Sequence, residues 1–230
     1  MLIHPAEARR QFRELAEEDI GNRNLARGAL LIALEDYPRL DVGSYLDELD
    51  ALAVRIEKRC TPGETAIFRL GHLHAEMFDT DGYKGDTSSY YDPRNACLNE
   101  VIDRKRGIPI TLSIIFLHVA ERLGLAATGV GLPGHYIVKI GFELSEVYVD
   151  PFHSGTTLTI PEIGELVRQT TGGTGRLTGE QLRSWNGRET LIRLLANLQN
   201  MWNLAGDLRK ANAARERIAI LTDAAHRGRS

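Results

Sequence analysis

A long apolar segment near the middle of the chain restricts its fold more than any other sequence feature. Residues 107–125 read G-I-P-I-T-L-S-I-I-F-L-H-V-A-E-R-L-G-L. Pro109 suits the first turn of a helix, where its missing N–H leaves no bond unmade, and Gly124 suits the C-terminal stop. Because residues 110–119 are apolar on almost every side, we predict a helix that is buried all round, as a central helix packed between layers would be.

The hydrophobic period changes to two after this helix. Residues 136–140 read Y-I-V-K-I, and V-Y-V-D-P follows a turn near residues 143–145. Alternation of this kind predicts a β-hairpin with one face on the core. Residues 161–183 then return to a helical pattern that is interrupted at Gly172 and Gly173.

Helical periodicity dominates the two ends of the chain. Leucines recur at helical spacing between residues 6 and 59, and residues 189–225 predict two helices joined at Gly206. We therefore predict an α+β protein with an N-terminal helical segment packed on the core (1–78), a core (79–186) and a C-terminal helical hairpin (187–230). One helical hairpin cannot bury its own apolar face, so it must pack on the core or on a partner.

His135 and Asp150 are candidates for a functional pair because they begin and end the predicted hairpin. With a turn near residues 142–144, an odd-sum register puts them on one face of the sheet, directly opposite or one diagonal apart, at about 5–8 Å. A one-residue slip would place them on opposite faces. An Asp beside a His fixes the tautomer of the imidazole and stabilises its cation, so we predict a hydrogen bond between them.

The net charge of -3 and the apolar content of 43% exclude several classes of function. Such a charge does not attract nucleic acid or an anionic membrane, and no run of about 18 apolar residues is present. The first residues contain no apolar h-region, so we expect no signal peptide. Cys60 and Cys97 are too few for a disulfide framework; we expect two free thiols in a reducing cytosol and hence a cytoplasmic protein.

The sequence does not suggest a cofactor or a metal. Residues 79–93 predict a Gly- and Asx-rich surface loop, but they lack the EF-hand ligand pattern and its final Glu. On the helix predicted to end near residue 78, His72 and Glu76 share a face that excludes His74. This spacing gives at most two ligands, and we predict a solvated face. No glycine-rich phosphate loop or dinucleotide fingerprint appears.

Several motifs occur in an order that resembles a known family. They are L-N-E-V-I-D-R-K-R-G-I-P-I-T-L-S, then G-V-G-L-P-G-H-Y-I-V, then V-D-P-F-H-S-G. Together they resemble the transglutaminase-like core, and within it the SirB-type branch, over about residues 30–158. The resemblance implies a papain-like α+β core in which a central buried helix packs against a small antiparallel sheet. It also implies tetratricopeptide-like helices behind the core, which residues 187–230 would supply.

The resemblance further implies a catalytic triad of Cys, His and Asp in active members, with the Cys at the start of the central helix. His135 and Asp150 match the His and the Asp of that triad. The nucleophile position falls at or beside Pro109, and no cysteine follows Cys97 in the chain. The sequence therefore keeps the frame of the site but lacks the thiol that attacks an acyl carbon.

Three other side chains could replace this nucleophile. Thr111 and Ser113 lie near the start of the central helix, where capping or back-bonding hydroxyl groups are the simpler interpretation. Cys97 is expected as a small buried residue, because a reactive cysteine needs an exposed electropositive setting. Of two nearby histidines, we expect His118 to be a hydrogen-bonded core residue and His153 to cap a loop.

Three functions are consistent with these features. The leading hypothesis is a non-catalytic protein-interaction or regulatory module that binds a protein partner through the cleft or the C-terminal helices. The rival is a hydrolase or acyltransferase of peptide or amide bonds that uses Thr111, Ser113 or Cys97 with His135 and Asp150. The third is a helical adaptor in which only the tail matters. A hydroxyl or thiol within hydrogen-bond reach of His135 would favour the rival.

Overall fold

A computed structural model describes residues 2–143, 145–173 and 175–227, the side chains of 226 and 227 excepted. Position 144, in the predicted hairpin turn, and residues 228–230, in the predicted C-terminal hairpin, lie outside the described residues. The α-helices are α1 (Pro5–Ala16), α2 (Asn22–Leu34), α3 (Val42–Glu57), α4 (Ala66–His74), α5 (Leu98–Arg104), α6 (Pro109–Arg122), α7 (Ile160–Thr170), α8 (Gly187–Leu204) and α9 (Leu208–Arg227). The strands are β1 (Lys84–Gly85), β2 (Arg106–Gly107), β3 (Ala126–Leu132), β4 (His135–Gly141), β5 (Glu146–Asp150) and β6 (Thr156–Leu158).

Helix α6 is the centre of the fold, as the sequence predicts. Every residue from Pro109 to Ala120 is buried. Helices α2 and α3 and strands β3 and β4 all contact this helix. Its first turn is closed by Thr111, whose Oγ1 accepts a hydrogen bond from the N–H of Ile108 at 3.1 Å. A helix without a solvent-exposed face must be covered by other elements on every side. Its residues are therefore apolar in all directions, and this apolar run is what predicted the helix from the sequence.

Strands β3, β4, β5 and β6 form one antiparallel sheet in that order. The predicted hairpin corresponds to β4 and β5, in which Val138 lies opposite Val149. The sequence did not predict β3 or β6. Strand β3 contains Gly129 and Gly131, and glycine weakens the strand signal of a sequence.

Both glycines of β3 make room for aromatic side chains. A Cβ added to Gly129 would collide with the hydroxyl of Tyr136 on β4, and one added to Gly131 would collide with the ring of Trp185. The Tyr136 hydroxyl is hydrogen-bonded to Thr190 Oγ1 on α8 at 2.7 Å. The glycines therefore let the sheet and the start of α8 approach each other closely.

The terminal helices share one hydrophobic core with α6 and the sheet. Four leucines of α8 are fully buried in this core: Leu191, Leu194, Leu195 and Leu198. On α9, the buried Arg217 donates from Nη1 to the carbonyl oxygen of Ile32 on α2 at 2.7 Å. The helical hairpin thus packs on the rest of the molecule, and the division at residues 78 and 186 stays a prediction. None of the described helices combines the length and the apolar character that a bilayer crossing requires.

The segment predicted as a surface loop over residues 79–93 is partly structured and partly buried. Strand β1 pairs in parallel with β2. Asp86 is buried, and its Oδ2 accepts hydrogen bonds from Asn95 at 3.2 Å and Arg104 at 3.3 Å. The prediction is wrong for this part, because the buried carboxylate ties the loop to α5.

Helix α5 has only seven residues, Leu98–Arg104. A 3-10 turn at Pro93–Ala96 precedes it, and Lys105 ends it with a left-handed φ of 56°. A residue in this conformation stops a helix and redirects the chain. Strand β2 then begins at once and pairs with β1.

The solvated face predicted around His72 and Glu76 is wrong for Glu76. This residue is buried, and its carboxylate pairs with Arg55 at 2.9 Å and Arg59 at 2.8 Å. The two guanidinium groups compensate its burial, and helical spacing within one segment could not reveal them. His72 instead lies 3.2 Å from the carboxylate of Glu64.

Candidate functional site

His135 and Asp150 form a buried hydrogen-bonded pair at the ends of β4 and β5. With Val138 opposite Val149, the register places Ile137 opposite Asp150, and His135 shares their face one diagonal away. His135 Nε2 lies 2.8 Å from Asp150 Oδ2, and both residues are buried. The predicted hydrogen bond is confirmed.

Both oxygens of the Asp150 carboxylate accept hydrogen bonds. Oδ1 accepts hydrogen bonds from the backbone N–H groups of Phe152 at 3.0 Å and His153 at 3.4 Å. Burial disfavours the charged carboxylate, but hydrogen bonds from His135 and His153 outweigh it and hold the pKa of Asp150 well below its ordinary value. An ionised carboxylate only accepts hydrogen bonds, so His135 donates its Nε2–H to Asp150.

His153 places a second imidazole on the same carboxylate, a role that the sequence did not reveal. Its Nδ1 lies 2.8 Å from Asp150 Oδ2, and its ring stacks on His135 with 5.7 Å between the ring centroids. The hydrogen bond to Asp150 raises the pKa of His153, against the opposing effect of partial burial. The 3-10 turn that follows Asp150 brings this imidazole back over the carboxylate. The sequence spacing D-P-F-H was the only available signal.

Within the described residues, neither of the two candidate hydroxyl groups of α6 is hydrogen-bonded to His135. Thr111 Oγ1 donates to the carbonyl oxygen of Asn95 at 2.9 Å and closes the first turn of the helix. Ser113 is fully buried, and its Oγ has no hydrogen-bond partner in the described part of the chain. The structure therefore brings His135 and Asp150 together, and neither Thr111 nor Ser113 is hydrogen-bonded to them within the described residues.

Cys97 is also separate from the histidine. It is buried between the 3-10 turn and α5, and burial together with the negative charge of Asp36 raises the pKa of its thiol. Among the described residues its thiol is not hydrogen-bonded to His135. His118 is buried, as the sequence predicts. Its Nε2 lies 2.8 Å from Asp50 Oδ1, but its Nδ1 has no hydrogen-bond partner within the described residues.

His135 lines a cleft of about 600 Å³. Its walls come from α6, α7, α8 and the segment before the 3-10 turn at Pro93–Ala96. The polar and aromatic side chains of these walls include Tyr90, Tyr91, Gln169, Arg193, Asn197 and Asn200. No Asp or Glu belongs to the described lining of the cleft. A neutral or acidic ligand would therefore meet hydrogen-bonding groups and one guanidinium without facing an opposing carboxylate.

The wall formed by α8 was not identified from the sequence. Arg193, Asn197 and Asn200 recur at intervals of four and three residues, so they lie along one side of the helix. The leucines of another face of α8 are buried in the core. A polar stripe beside this leucine face was the signal that could have located this wall.

The comparison with protein families identifies the fold family. The family model described as Transglutaminase-like superfamily matches residues 43–196. The chain belongs to the transglutaminase-like superfamily. The matched segment runs from α3 into α8 and therefore contains the central helix, the whole sheet and the His135–Asp150 pair. The α+β fold class predicted for this chain is confirmed.

Three known proteins are similar to different shares of the chain. A UPF0162 protein of Xylella fastidiosa (strain 9a5c) is 32% identical over 91% of this chain and 76% of its own length. A UPF0162 protein of Pseudomonas aeruginosa is 29% identical over 80% of this chain and 66% of its own length. F-box only protein 21 of Mus musculus is 30% identical over 60% of this chain and 22% of its own length. No solved structure matches the chain.

The histidine pair could in principle hold a metal ion. Ligand atoms of His135, Asp150 and His153 all lie within 4.8 Å of one another. Each of the two imidazoles, however, already directs a ring nitrogen to Asp150 Oδ2. These hydrogen bonds satisfy the buried carboxylate, so the arrangement needs no ion to explain it.

Proposed function

We propose that this protein is a non-catalytic member of the superfamily, of the SirB-type branch, whose cleft binds an extended segment of a protein partner. One observation carries the proposal. The residue that begins α6 and lines the cleft beside His135 is Pro109, whose side chain has no thiol or hydroxyl. Active members of the family have a cysteine at this place, so the cleft keeps its shape without its nucleophile.

The chemistry of amide attack supports this interpretation. A hydroxyl titrates far above a thiol and must therefore be hydrogen-bonded to a general base during attack. Among the described residues, no thiol or hydroxyl is hydrogen-bonded to His135. Pro109 also lacks the backbone N–H that could help to stabilise an oxyanion at the start of the helix. The intact His135–Asp150 pair is the feature that favours the rival hydrolase or acyltransferase, since it retains a general base.

The lining of the cleft suits a peptide segment. The side-chain amides of Gln169, Asn197 and Asn200 each donate and accept hydrogen bonds, as a peptide backbone requires of its partner. Tyr90 and Tyr91 add aromatic area, which is typical of residues that anchor protein interfaces. With Arg193 as the guanidinium of the lining, the preferred segment is neutral or acidic. A cytoplasmic location, inferred from the two free thiols, belongs to the same proposal.

Point substitutions test the proposal better than removal of the C-terminal helices. Deleting residues 187–230 would remove four fully buried leucines of α8 from the core, and loss of binding could then reflect unfolding. Asn200 and Asn212 are both exposed, but only Asn200 lines the cleft. Asn200→Trp therefore blocks the cleft, while Asn212→Trp makes the same change on α9.

The experiment is affinity capture from a lysate of the source cells with each protein, followed by cross-linking and mass spectrometry. We expect a partner that cross-links to the cleft, is retained by Asn212→Trp and is lost with Asn200→Trp. An identical set of captured proteins with both variants would contradict binding in the cleft. Loss with Asn212→Trp alone would instead favour the adaptor in which only the C-terminal helices matter.

A further inference from the structure

Three potential metal ligands meet away from the cleft, at the junction between α3 and α4. Cys60 lies just after α3, Glu64 lies before α4, and His72 lies on α4. Their ligand atoms are all within 4.8 Å of one another. We call these three residues the Cys60 cluster. None of them lines the cleft that contains His135.

The distances within the Cys60 cluster are close to those of a bound transition metal. His72 Nε2 lies 3.2 Å from Glu64 Oε1. Zinc binds sulfur, nitrogen and oxygen ligands at about 2.0–2.3 Å, so neighbouring ligand atoms lie about 3–4 Å apart. The three side chains are partly exposed and could close around an ion by small rotations.

Glu64 provides a second observation that points to a ligand. Its side chain is only 12% exposed, yet its Oε2 is buried and has no hydrogen-bond partner within the described residues. Cys60 Sγ lies 3.4 Å from the carbonyl oxygen of Ile56, and burial together with the neighbouring Glu64 carboxylate raises the pKa of the thiol. A buried carboxylate oxygen without a partner is costly, and a cation would supply one.

The surroundings of the Cys60 cluster allow access and balance the charge. A cavity of about 340 Å³ reaches Cys60 and is also lined by Glu57, Arg69 and Arg122. Arg122 is paired with Asp50 at 2.6 Å. A thiolate and a carboxylate carry two negative charges, which match a divalent ion, and the cavity leaves space for a water ligand.

We propose that Cys60 Sγ, a carboxylate oxygen of Glu64 and His72 Nε2 bind Zn²⁺, with water in the fourth position. Sulfur and imidazole ligands favour zinc over magnesium or calcium. Binding replaces the thiol proton, which passes to solvent. The ion links the end of α3 to α4. Sequence spacing predicted no metal because it considered His72, His74 and Glu76 on one helix and not the residues before it.

Cobalt serves as the probe, because a thiolate bound to Co²⁺ gives a charge-transfer band in the near ultraviolet. After treatment of the protein with a chelator, CoCl₂ should produce this band with one equivalent per chain, and ZnCl₂ should remove it. We expect Cys60→Ser to abolish the band and His72→Ala to weaken binding more than about tenfold. His74→Ala, a change two residues away on the same helix, should bind as wild type. The histidines of the cleft cannot give this band, since that site has no thiol.

A second measurement needs no variant. One equivalent of ZnCl₂ should slow alkylation of Cys60 by iodoacetamide more than about tenfold, because a metal-bound thiolate is not free to react. Cys97 is buried and should stay unlabelled with and without zinc, which shows that the protein remains folded. A one-equivalent band that survives Cys60→Ser, or a cobalt affinity that His72→Ala leaves unchanged, would overturn the proposal. So would the absence of a band, or an alkylation rate of Cys60 that zinc does not change.

Discussion

His153 Nδ1 lies 2.8 Å from Asp150 Oδ2, the oxygen that also accepts a hydrogen bond from His135. One buried carboxylate therefore serves two stacked imidazoles, one buried and one half-exposed. The pair resembles a catalytic His–Asp unit in geometry, but its second histidine adds a structural role. The carboxylate closes the turn after β5 and stabilises the ring that lines the cleft.

The His153–Asp150 pair should make stability depend on pH in a defined direction. The pKa of His153 is raised from 6.5 by Asp150, and the lowered pKa of Asp150 keeps that carboxylate ionised near neutrality. A raised pKa means that the pair stabilises the fold fully below the unfolded pKa and loses this contribution as pH rises through the folded pKa. We expect His153→Gln to destabilise the protein more at about pH 5.5 than at about pH 8.5. Urea unfolding of the wild type and the variant at the two pH values measures the loss of unfolding free energy. A loss that is larger at the higher pH would contradict the prediction.

Removal of the Asp150 carboxylate should be among the more damaging single changes. Asp150→Ala leaves His135 and the N–H groups of Phe152 and His153 without their acceptor in a buried setting. Loss of one partner of a buried pair costs about 3–5 kcal/mol. Asp47→Ala, an exposed change on α3, should stay within about 0.5 kcal/mol. The comparison is made by urea unfolding, and similar values for both variants would refute the anchoring role of Asp150.

The sequence correctly predicted those elements in which apolar residues follow a clear helical or strand pattern. Helix α6 was visible because it is apolar on all sides, and the pairing of His135 with Asp150 followed from the alternation in β4 and β5. Strand β3 was missed because its two glycines, which weaken the strand signal, make room for the side chains of Tyr136 on the next strand and of the distant Trp185. Such tertiary packing overrides local propensity and leaves little trace in a single sequence.

Two glycines on different elements test this packing argument. Gly131 lies against the ring of Trp185, whereas Gly164 lies inside α7 with only Leu177 near an added Cβ, at 4.0 Å. Gly131→Ala should destabilise the protein by about 1–3 kcal/mol because the ring must move. Gly164→Ala should stabilise it by about 0.5–1 kcal/mol, since alanine favours the helix interior. Thermal unfolding measures both variants. If the two substitutions shift the melting temperature in the same direction, the close approach on β3 is not required.

The candidate site could be predicted only in part. His135 and Asp150 were identified by position in the hairpin, but His153 depends on the 3-10 turn, and Asn197 and Asn200 depend on how α8 packs. The Cys60 cluster joins residues from three successive segments, and no single helical face contains them. In each case the missing information is how two elements are oriented relative to each other. The hydrophobic periodicity of a single helix or strand does not contain that information.

The two cysteines should be unreactive under mildly acidic conditions in the protein without added metal. Burial and nearby negative charge raise the pKa of both thiols, and only the thiolate reacts with iodoacetamide. We expect Cys97 to be labelled only after unfolding and Cys60 to be labelled slowly. Mass spectrometry of alkylated peptides with and without urea measures both rates. Rapid stoichiometric labelling of Cys97 in the folded protein would identify it as a working nucleophile.

The most direct test of the non-catalytic interpretation is turnover by the purified protein beside His135→Ala. Casein with a fluorescent amine tests for transamidation, and a panel of amide substrates tests for hydrolysis. We expect both proteins to remain at the background rate, because Pro109 stands where the nucleophile would be and no described hydroxyl or thiol is hydrogen-bonded to His135. Turnover by the wild-type protein that disappears in His135→Ala would contradict the account and show that this cleft is a working active site.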